Sequence, residues 1–254
     1  MVTLKTAEQI AKMREAGKIV AAMLTATRDA VRPGVTTAEL DAIAADVLAR
    51  AGAKSSFLGY YGYPATICTS VNEQIVHGIP GKRKLKEGDI VGIDAGAIVD
   101  GWHADAAITV PVGRVSAQAE KLISVTREAL ARGIAATAVG SRLGDVGSAI
   151  QTYVEGQGFS VVRNYVGHGI GRAMHEEPQV PNYGTSDLGR VVKDGLCIAI
   201  EPMVNVGGVA TRVLDDHWTV VTEDGSLSAH FEHTVAVTKN GPLVLTLRPV
   251  VAGR

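Results

Sequence analysis

Ile10, Met13, Ile19, Val20, Met23 and Leu24 recur at helical spacing behind Thr6, and the run stops at Pro33-Gly34. Thr6 and Gln9 have the form of a capping box, in which the hydroxyl and the third helical residue satisfy each other's backbone N–H groups. A first helix is predicted there. Thr36 and Glu39 repeat the device ahead of Leu40, Ile43, Val47 and Leu48, with Gly52 as the stop, which predicts a second helix. From Thr66 to about Val112 the pattern changes to short β-rich runs, Ile67–Val71, Ile90–Ile93 and Ala107–Val110, between Gly-containing turns. Helical periodicity returns over Ser116–Ala138 and over Asp145–Gln157, and beyond Gly158 the chain is β-rich.

The order helix, helix, strands, helix, helix, strands predicts a doubled unit. Gly34 and Gly140, Leu40 and Val146, Ile43 and Ala149, Val47 and Tyr153, and Gly52 and Gly158 pair at an offset of 106 residues. Leu85–Asp94 matches Val192–Glu201 at 107, and each segment carries a Lys-acid-Gly turn, an apolar stretch and then a carboxylate. Two amphipathic helices can look alike by chance; the turn and strand together are harder to dismiss. We expect one catalytic domain over residues 1–254, an α+β fold with approximate halves 1–112 and 113–254 bringing Asp94 and Glu201 toward one cleft, since no Pro/Ser-rich linker divides it.

Composition narrows the partners. The 254 residues suffice to bury about 70–75% of the unfolded surface, and 46% hydrophobic with 20% charged residues is an ordinary globular balance. With a formal net charge of −1 and no dense run of Lys or Arg, nucleic-acid binding has no electrostatic support. Lys82-Arg83-Lys84 reads as a solvated turn. Cys68 and Cys197 form no CxxC pair, so neither a disulfide scaffold nor a zinc knuckle is indicated. No apolar run is long enough to span a bilayer and the first residues lack a signal-peptide pattern, so a cytoplasmic, unexported protein is expected.

Asp94 follows the apolar Ile90–Ile93, and Asp105 lies eleven residues on, past Asp100-Gly101-Trp102. This predicts two neighbouring strands with both acids pointing the same way. A lone Asp at such a place more often caps a turn, but a carboxylate ending an apolar strand is costly unless paired or metal-bound, and Glu201 repeats the placement. His168 stands among glycines in GHGIGR, which fits neither a dinucleotide fingerprint nor a phosphate loop, and whose backbone would let the imidazole approach another group closely. Alternation along one strand through Ala229–Thr234 would put Glu232 opposite Phe231 and His233, on the side of His230. Taken singly, His230 and His233 read as structural or surface residues.

NEQIVHGIP (72–80), Asp94 with Asp100–Asp105, GHGIGRAMHEEPQV (167–180), IEPMVN (200–205) and Ser226–Thr234 together resemble the signature blocks of type I methionine aminopeptidases, in order over nearly the whole chain. The 33-residue spacing from His168 to Glu201 leaves no room for the insertion that marks type II, and the short N-terminal segment resembles the bacterial subclass without an N-terminal extension. The resemblance implies the pita-bread fold, two pseudo-twofold αβ halves with a central antiparallel sheet around a dinuclear metal cleft. It implies that Asp94 chelates one metal, that His168 and Glu201 hold the other, and that Asp105 and Glu232 bridge both. Two divalent cations would offset four mutually repelling carboxylates, and this oxygen-rich set with one imidazole suits Mn, Fe, Co or Zn. At about 3.5–4 Å apart they would supply a nucleophile from water and polarise the scissile carbonyl.

The resemblance further implies Glu201 as proton shuttle, His175 as stabiliser of the oxyanion and His77 as a contact of the scissile amide. Tyr60, Tyr63, Cys68 and Trp218 match positions of a methionine pocket, Met174 stands where an aromatic is common, Phe57 where Cys or another small residue is usual, and Gly96 where Thr is usual. The implied reaction removes the initiator methionine of nascent proteins when the second residue is small. The expected enzyme is a monomer with the ribosome as a candidate partner. A Pro-specific peptidase of the same fold and a non-catalytic binding module are the alternatives. The first usually carries a large extra N-terminal domain, and the second characteristically loses ligands, whereas all five positions here hold a competent side chain.

Overall fold

The structure, a computed structural model, describes residues 2–247. Helix α1 (Ala7–Ala30) begins where the capping box places it: Gln9 N–H donates to Thr6 Oγ1 (3.3 Å) and Thr6 N–H to Gln9 Oε1 (3.0 Å). Helix α2 (Thr37–Ala51) starts on the Thr36–Glu39 box and ends at Gly52, whose φ of 64° is left-handed and suits glycine. Helix α3 (Ala117–Ala135) is shorter than the expected Ser116–Ala138. Ser116 is its cap, and the Thr137 N–H bonds back to Ile134 O, closing the last turn. Helix α4 (Leu143–Gly156) starts two residues before Asp145, because Asp145 is itself the third helical residue and accepts from the Arg142 N–H at 2.7 Å.

The two β-runs 90–93 and 107–110 are parts of one long hairpin, Ile90–Val99 with Trp102–Pro111. Ala95-Gly96-Ala97 are poor strand formers that the pairing overrides. Asp100 and Gly101, with φ of 50° and 74°, make the tight connection whose twist suits a two-residue hairpin. Ile67–Val71 and Lys54–Ser55 pair on the free edge of Ile90–Val99. A five-stranded antiparallel sheet runs Gly241–Val244, His233–Thr238, Cys197–Ile200, Gly167–Gly169, Glu176–Val180. The hairpin joins it at the middle of the molecule, where Glu232 N–H donates to Ala107 O (3.0 Å) and Ala107 N–H to Glu232 O (3.3 Å).

Each helix pair is tied to its sheet in the same way. Gly34 N–H donates to Leu85 O and Leu85 N–H to Val35 O (both 2.8 Å); Gly140 N–H donates to Val192 O (3.0 Å) and Val192 N–H to Ser141 O (2.8 Å). Bridges Thr36 to Lys84 and Arg142 to Val191 repeat the relation. The main core is continuous across the molecule, from Val20, Met23 and Leu24 of α1 over Ile90, Ile93 and Ile108 to Leu122, Ile150, Ile198 and Val235. Full burial of such side chains contributes about 1.5–3 kcal/mol each. The cysteines are both buried and free, and no helix among the described residues is long and apolar enough to cross a membrane.

Candidate metal centre and pocket

Asp94 lies opposite Ala107 and Asp105 opposite Gly96, so the two acids share one face of the hairpin on a diagonal. Asp94 does not end its strand, as its sequence neighbours suggested; the strand runs on to Val99 because its partner continues. His168 is the middle residue of the short strand Gly167–Gly169, and Glu201 follows directly on Cys197–Ile200. The continuous strand expected through Glu232 is broken. The chain leaves Ser228–His230, crosses at Phe231-Glu232 and enters His233–Thr238 in another sheet, so strand alternation does not apply across it. Both crossing residues are buried, Phe231 in the core and Glu232 toward the cavity.

One cavity of about 270 Å³ is lined by Phe57, Tyr60, Tyr63, Cys68, His77, Asp94, Asp105, His168, Met174, His175, Glu201, Trp218 and Glu232, together with Tyr61. The metal and substrate residues expected from the sequence therefore face the same space, Gly96 excepted. Ligand atoms of Asp105, His168 and Glu232 all lie within 4.8 Å of one another. His168 Nε2 lies 3.6 Å from Asp105 Oδ2 and 3.5 Å from Glu201 Oε1. Asp105 is held from behind by Thr234, whose hydroxyl accepts from the Asp105 N–H (3.0 Å) and reaches the carboxylate Oδ1 (3.1 Å).

The electrostatics are those of anions crowded in a dry site. Burial, then the charges of Asp105 and Glu201, push Asp94 well above the carboxylate range, and burial with Asp105 does the same to Glu232. Glu201 is pushed up to about 8 by burial, aided by Asp105. Burial also opposes ionisation of Asp105, yet the His168 imidazolium and the Thr234 hydroxyl outweigh it and hold that carboxyl low. His168 rises to about 9 against its own burial, through Asp105 and Glu201. Burial and the His168 charge lower His175 to about 4. Asp94 Oδ1 and Glu232 Oε1 are buried with no hydrogen-bond partner. Buried polar atoms are ordinarily satisfied, so orphaned oxygens beside a tight acid-imidazole group are the donor set a divalent cation requires.

Beside this polar wall stands a separate apolar cluster, Phe57, Tyr63, Ala65, Cys68 and Met174 with Tyr60, Ile79 and Trp218 against it. Tyr63 hydrogen-bonds the carbonyl oxygens of Ile67 (3.1 Å) and Gly78 (3.0 Å), which fixes its ring, and Trp218 meets it edge-on at 5.1 Å. Tyr60 Oη lies 2.7 Å from His175 Nδ1, and the His175 ring lies 4.2 Å from that of His168. His77 adopts a left-handed φ of 60°. The two departures from the resemblance are in contact: a Cβ at Gly96 would come within 2.8 Å of the Phe57 ring and of Ser56 Cβ. The large residue at 57 occupies the room that glycine leaves at 96.

Two neighbours, Tyr61 and Thr234, escaped the sequence reading, and His230, read there as structural or surface, is a third. Tyr61 is 86% exposed at the cavity rim with a strained φ of 48°, and its signal was the Gly59/Gly62 frame of a tight turn. His230 is a buried neighbour of the site, with Nε2 3.7 Å from Glu201 Oε2 and no hydrogen-bond partner, and burial lowers its pKa to about 3. Thr234 braces Asp105 across 129 residues, a separation that leaves no local pattern. His233 lies aside, with Nδ1 2.8 Å from Thr246 Oγ1.

Comparison with known proteins agrees with this geometry. Residues 11–239 match the model of metallopeptidase family M24. A methionine aminopeptidase of Clostridium perfringens is 53% identical over 97% of this chain and 99% of its own length, and methionine aminopeptidase 1 of Bacillus subtilis is 50% identical over 97% and 99%. The crystal structure of methionine aminopeptidase from Rickettsia prowazekii superposes with a TM-score of 0.96 at 44% identity, covering 97% of this chain and 100% of that one. A Xaa-Pro dipeptidase of Bacillus anthracis shares the fold alone, with a TM-score of 0.76 at 22% identity and only 62% of its length covered. The architecture is the pita-bread fold, and the chain belongs to metallopeptidase family M24, among its methionine aminopeptidases.

Proposed function

We propose that this protein is a metal-dependent aminopeptidase that removes the N-terminal initiator methionine from proteins whose second residue is small. The observation that carries the reading is the junction inside one cavity of an acid-imidazole cluster with an apolar pocket of aromatic and sulfur-bearing side chains. A thioether is apolar and polarisable, and Tyr63, Cys68, Met174 and Trp218 offer it matching surfaces. Relatives at about 50% identity carry the same name over their full length.

The five residues Asp94, Asp105, His168, Glu201 and Glu232 would hold two divalent cations, Asp105 and Glu232 shared between them. When bound, the metals supply Lewis acidity toward the scissile carbonyl and an activated water. Glu201, directly after Cys197–Ile200 and lining the cavity, would accept and return a proton. Burial disfavours the charged form of His175 and keeps it neutral. We assign the 2.7 Å contact with Tyr60 as a hydroxyl donating to Nδ1, which leaves Nε2–H to donate to the developing oxyanion. His77, which lines the cavity, would meet the scissile amide. Phe57 closes the methionine pocket from the side of Gly96.

We read the chain as one catalytic unit of two αβ halves, 1–112 and 113–254, supported by the repeated helix-to-sheet ties. We further propose that it acts as a monomer in the cytoplasm, on chains at or near the ribosome. Protein reloaded with Mn, Fe, Co or Zn singly and offered Met-Ala-Ser, its N-acetylated copy and Ala-Pro-Ala is expected to cleave the first alone. Turnover of the acetylated peptide would refute recognition of a free amino group, and no turnover with any metal would favour a binding module.

A further inference from the structure

We infer that the partly buried ion pair between Lys5 and Glu176 is a positioning device for the reaction, fixing the loop 171–175 that carries Met174 and His175 to the cavity. Lys5 Nζ lies 2.6 Å from Glu176 Oε2, and the two side chains are only 1% and 15% exposed. The ammonium also donates to Thr3 O at 3.0 Å. The other carboxylate oxygen of Glu176 accepts from the backbone N–H groups of Arg172 (2.8 Å) and Ala173 (3.2 Å). One carboxylate thus holds two successive peptide groups of the loop and one buried cation. Surface ion pairs bring little, but a buried carboxylate that loses its cation is left with an uncompensated charge and must move or take up a proton.

Both ends of the device are anchored to parts that bear on the metal centre. Glu176 lies opposite Gly169, one residue from His168. Lys5 immediately precedes the cap of α1, the helix packed on the hairpin of Asp94 and Asp105, and its own N–H donates to Gly195 O at 2.6 Å. Gly171 leaves the room for the pair, since a Cβ there would come within 2.5 Å of Lys5 Cε and 2.6 Å of Glu176 Oε1. Between these anchors His175 is brought to Tyr60 Oη and Met174 to the apolar wall.

The inference rests on the role proposed for His175. In Lys5→Met, kcat for Met-Ala-Ser is expected to fall about tenfold or more, since small misplacements of a reacting group are costly. KM is expected to change less than about threefold, metal content per folded chain to stay constant, and the His175 ring resonance to shift in NMR spectra. A lowered Tm with unchanged kcat per metal-loaded chain would mean a merely structural pair and overturn the inference. His175→Ala, measured alongside, separates the readings: a slow His175→Ala beside a normal Lys5→Met overturns the positioning role alone, whereas a normal His175→Ala overturns the assignment of His175 and this inference with it. Should Lys5→Met not fold, Glu176→Gln, which keeps an acceptor for the loop, is expected to lose about threefold or more in kcat with its metal retained; an unchanged kcat overturns the inference.

Discussion

Phe57 and Gly96 show how two unremarkable residues acquire meaning from each other. Each departs from the resemblance by itself, and their contact relates the two: the phenyl ring, together with Ser56, fills the space a side chain at 96 would need. Gly96→Thr is therefore expected to destabilise the protein by about 1–3 kcal/mol through overpacking. Adding Phe57→Cys should recover the part of that loss due to the ring, the contact with Ser56 remaining, so denaturation of the two single variants and the double one measures the coupling; strict additivity would refute it. Asp105→Asn belongs to the same scale. It retains the shape that Thr234 braces but gives up the pairing with His168, so the metal-free chain should still fold, with a lowered Tm at pH 7, while turnover falls at least about 100-fold. Near-normal turnover would remove Asp105 from the ligand set.

Among the elements, helix starts were the most legible, because capping boxes at Thr6 and Thr36 are local chemistry. Strand limits were not. Ala95-Gly96-Ala97 carry little intrinsic preference, and the crossing at Phe231-Glu232 looks like one strand until its two flanks are seen in different sheets. Close approach between elements is equally invisible in sequence. Gly147 in α4 faces the backbone of Pro181 and Tyr183, which an added Cβ would strike. Gly147→Ala, favourable for an isolated helix, is expected here to cost about 1–3 kcal/mol in chemical denaturation of the metal-loaded protein. A neutral or stabilising result would show that the loop yields easily.

At the scale of the whole molecule the metal centre joins parts distant in sequence and sets a pH dependence. His168 and Glu201 have folded values of about 9 and 8, above their ordinary 6.5 and 4.5. Their protonated forms stabilise the metal-free fold below the ordinary values, and that contribution is lost as pH rises through about 8 and 9. His175 and His230, at about 4 and 3, act the opposite way, contributing above 6.5 and losing it as pH falls. Asp94 and Glu232, raised by burial, act in the same sense as the first pair. Chelated protein should therefore lose Tm over that range, metal loading should release protons, and the Tm gain on loading should be larger at pH 9 than at pH 7. A gain independent of pH, measured by scanning calorimetry, would contradict these assignments.

The sequence by itself determined what local pattern and repetition can encode: two capped helices, a second helix pair, the matched strands leading to Asp94 and Glu201, and the motif blocks that marked the candidate site. Tertiary structure decided the rest. It placed Thr234 behind Asp105, set His230 beside Glu201, fitted Phe57 to Gly96 and closed Lys5 onto Glu176 over 171 residues. Those relations depend on burial and on distances between segments far apart along the chain, and neither leaves a period or a spacing in the residues that form them.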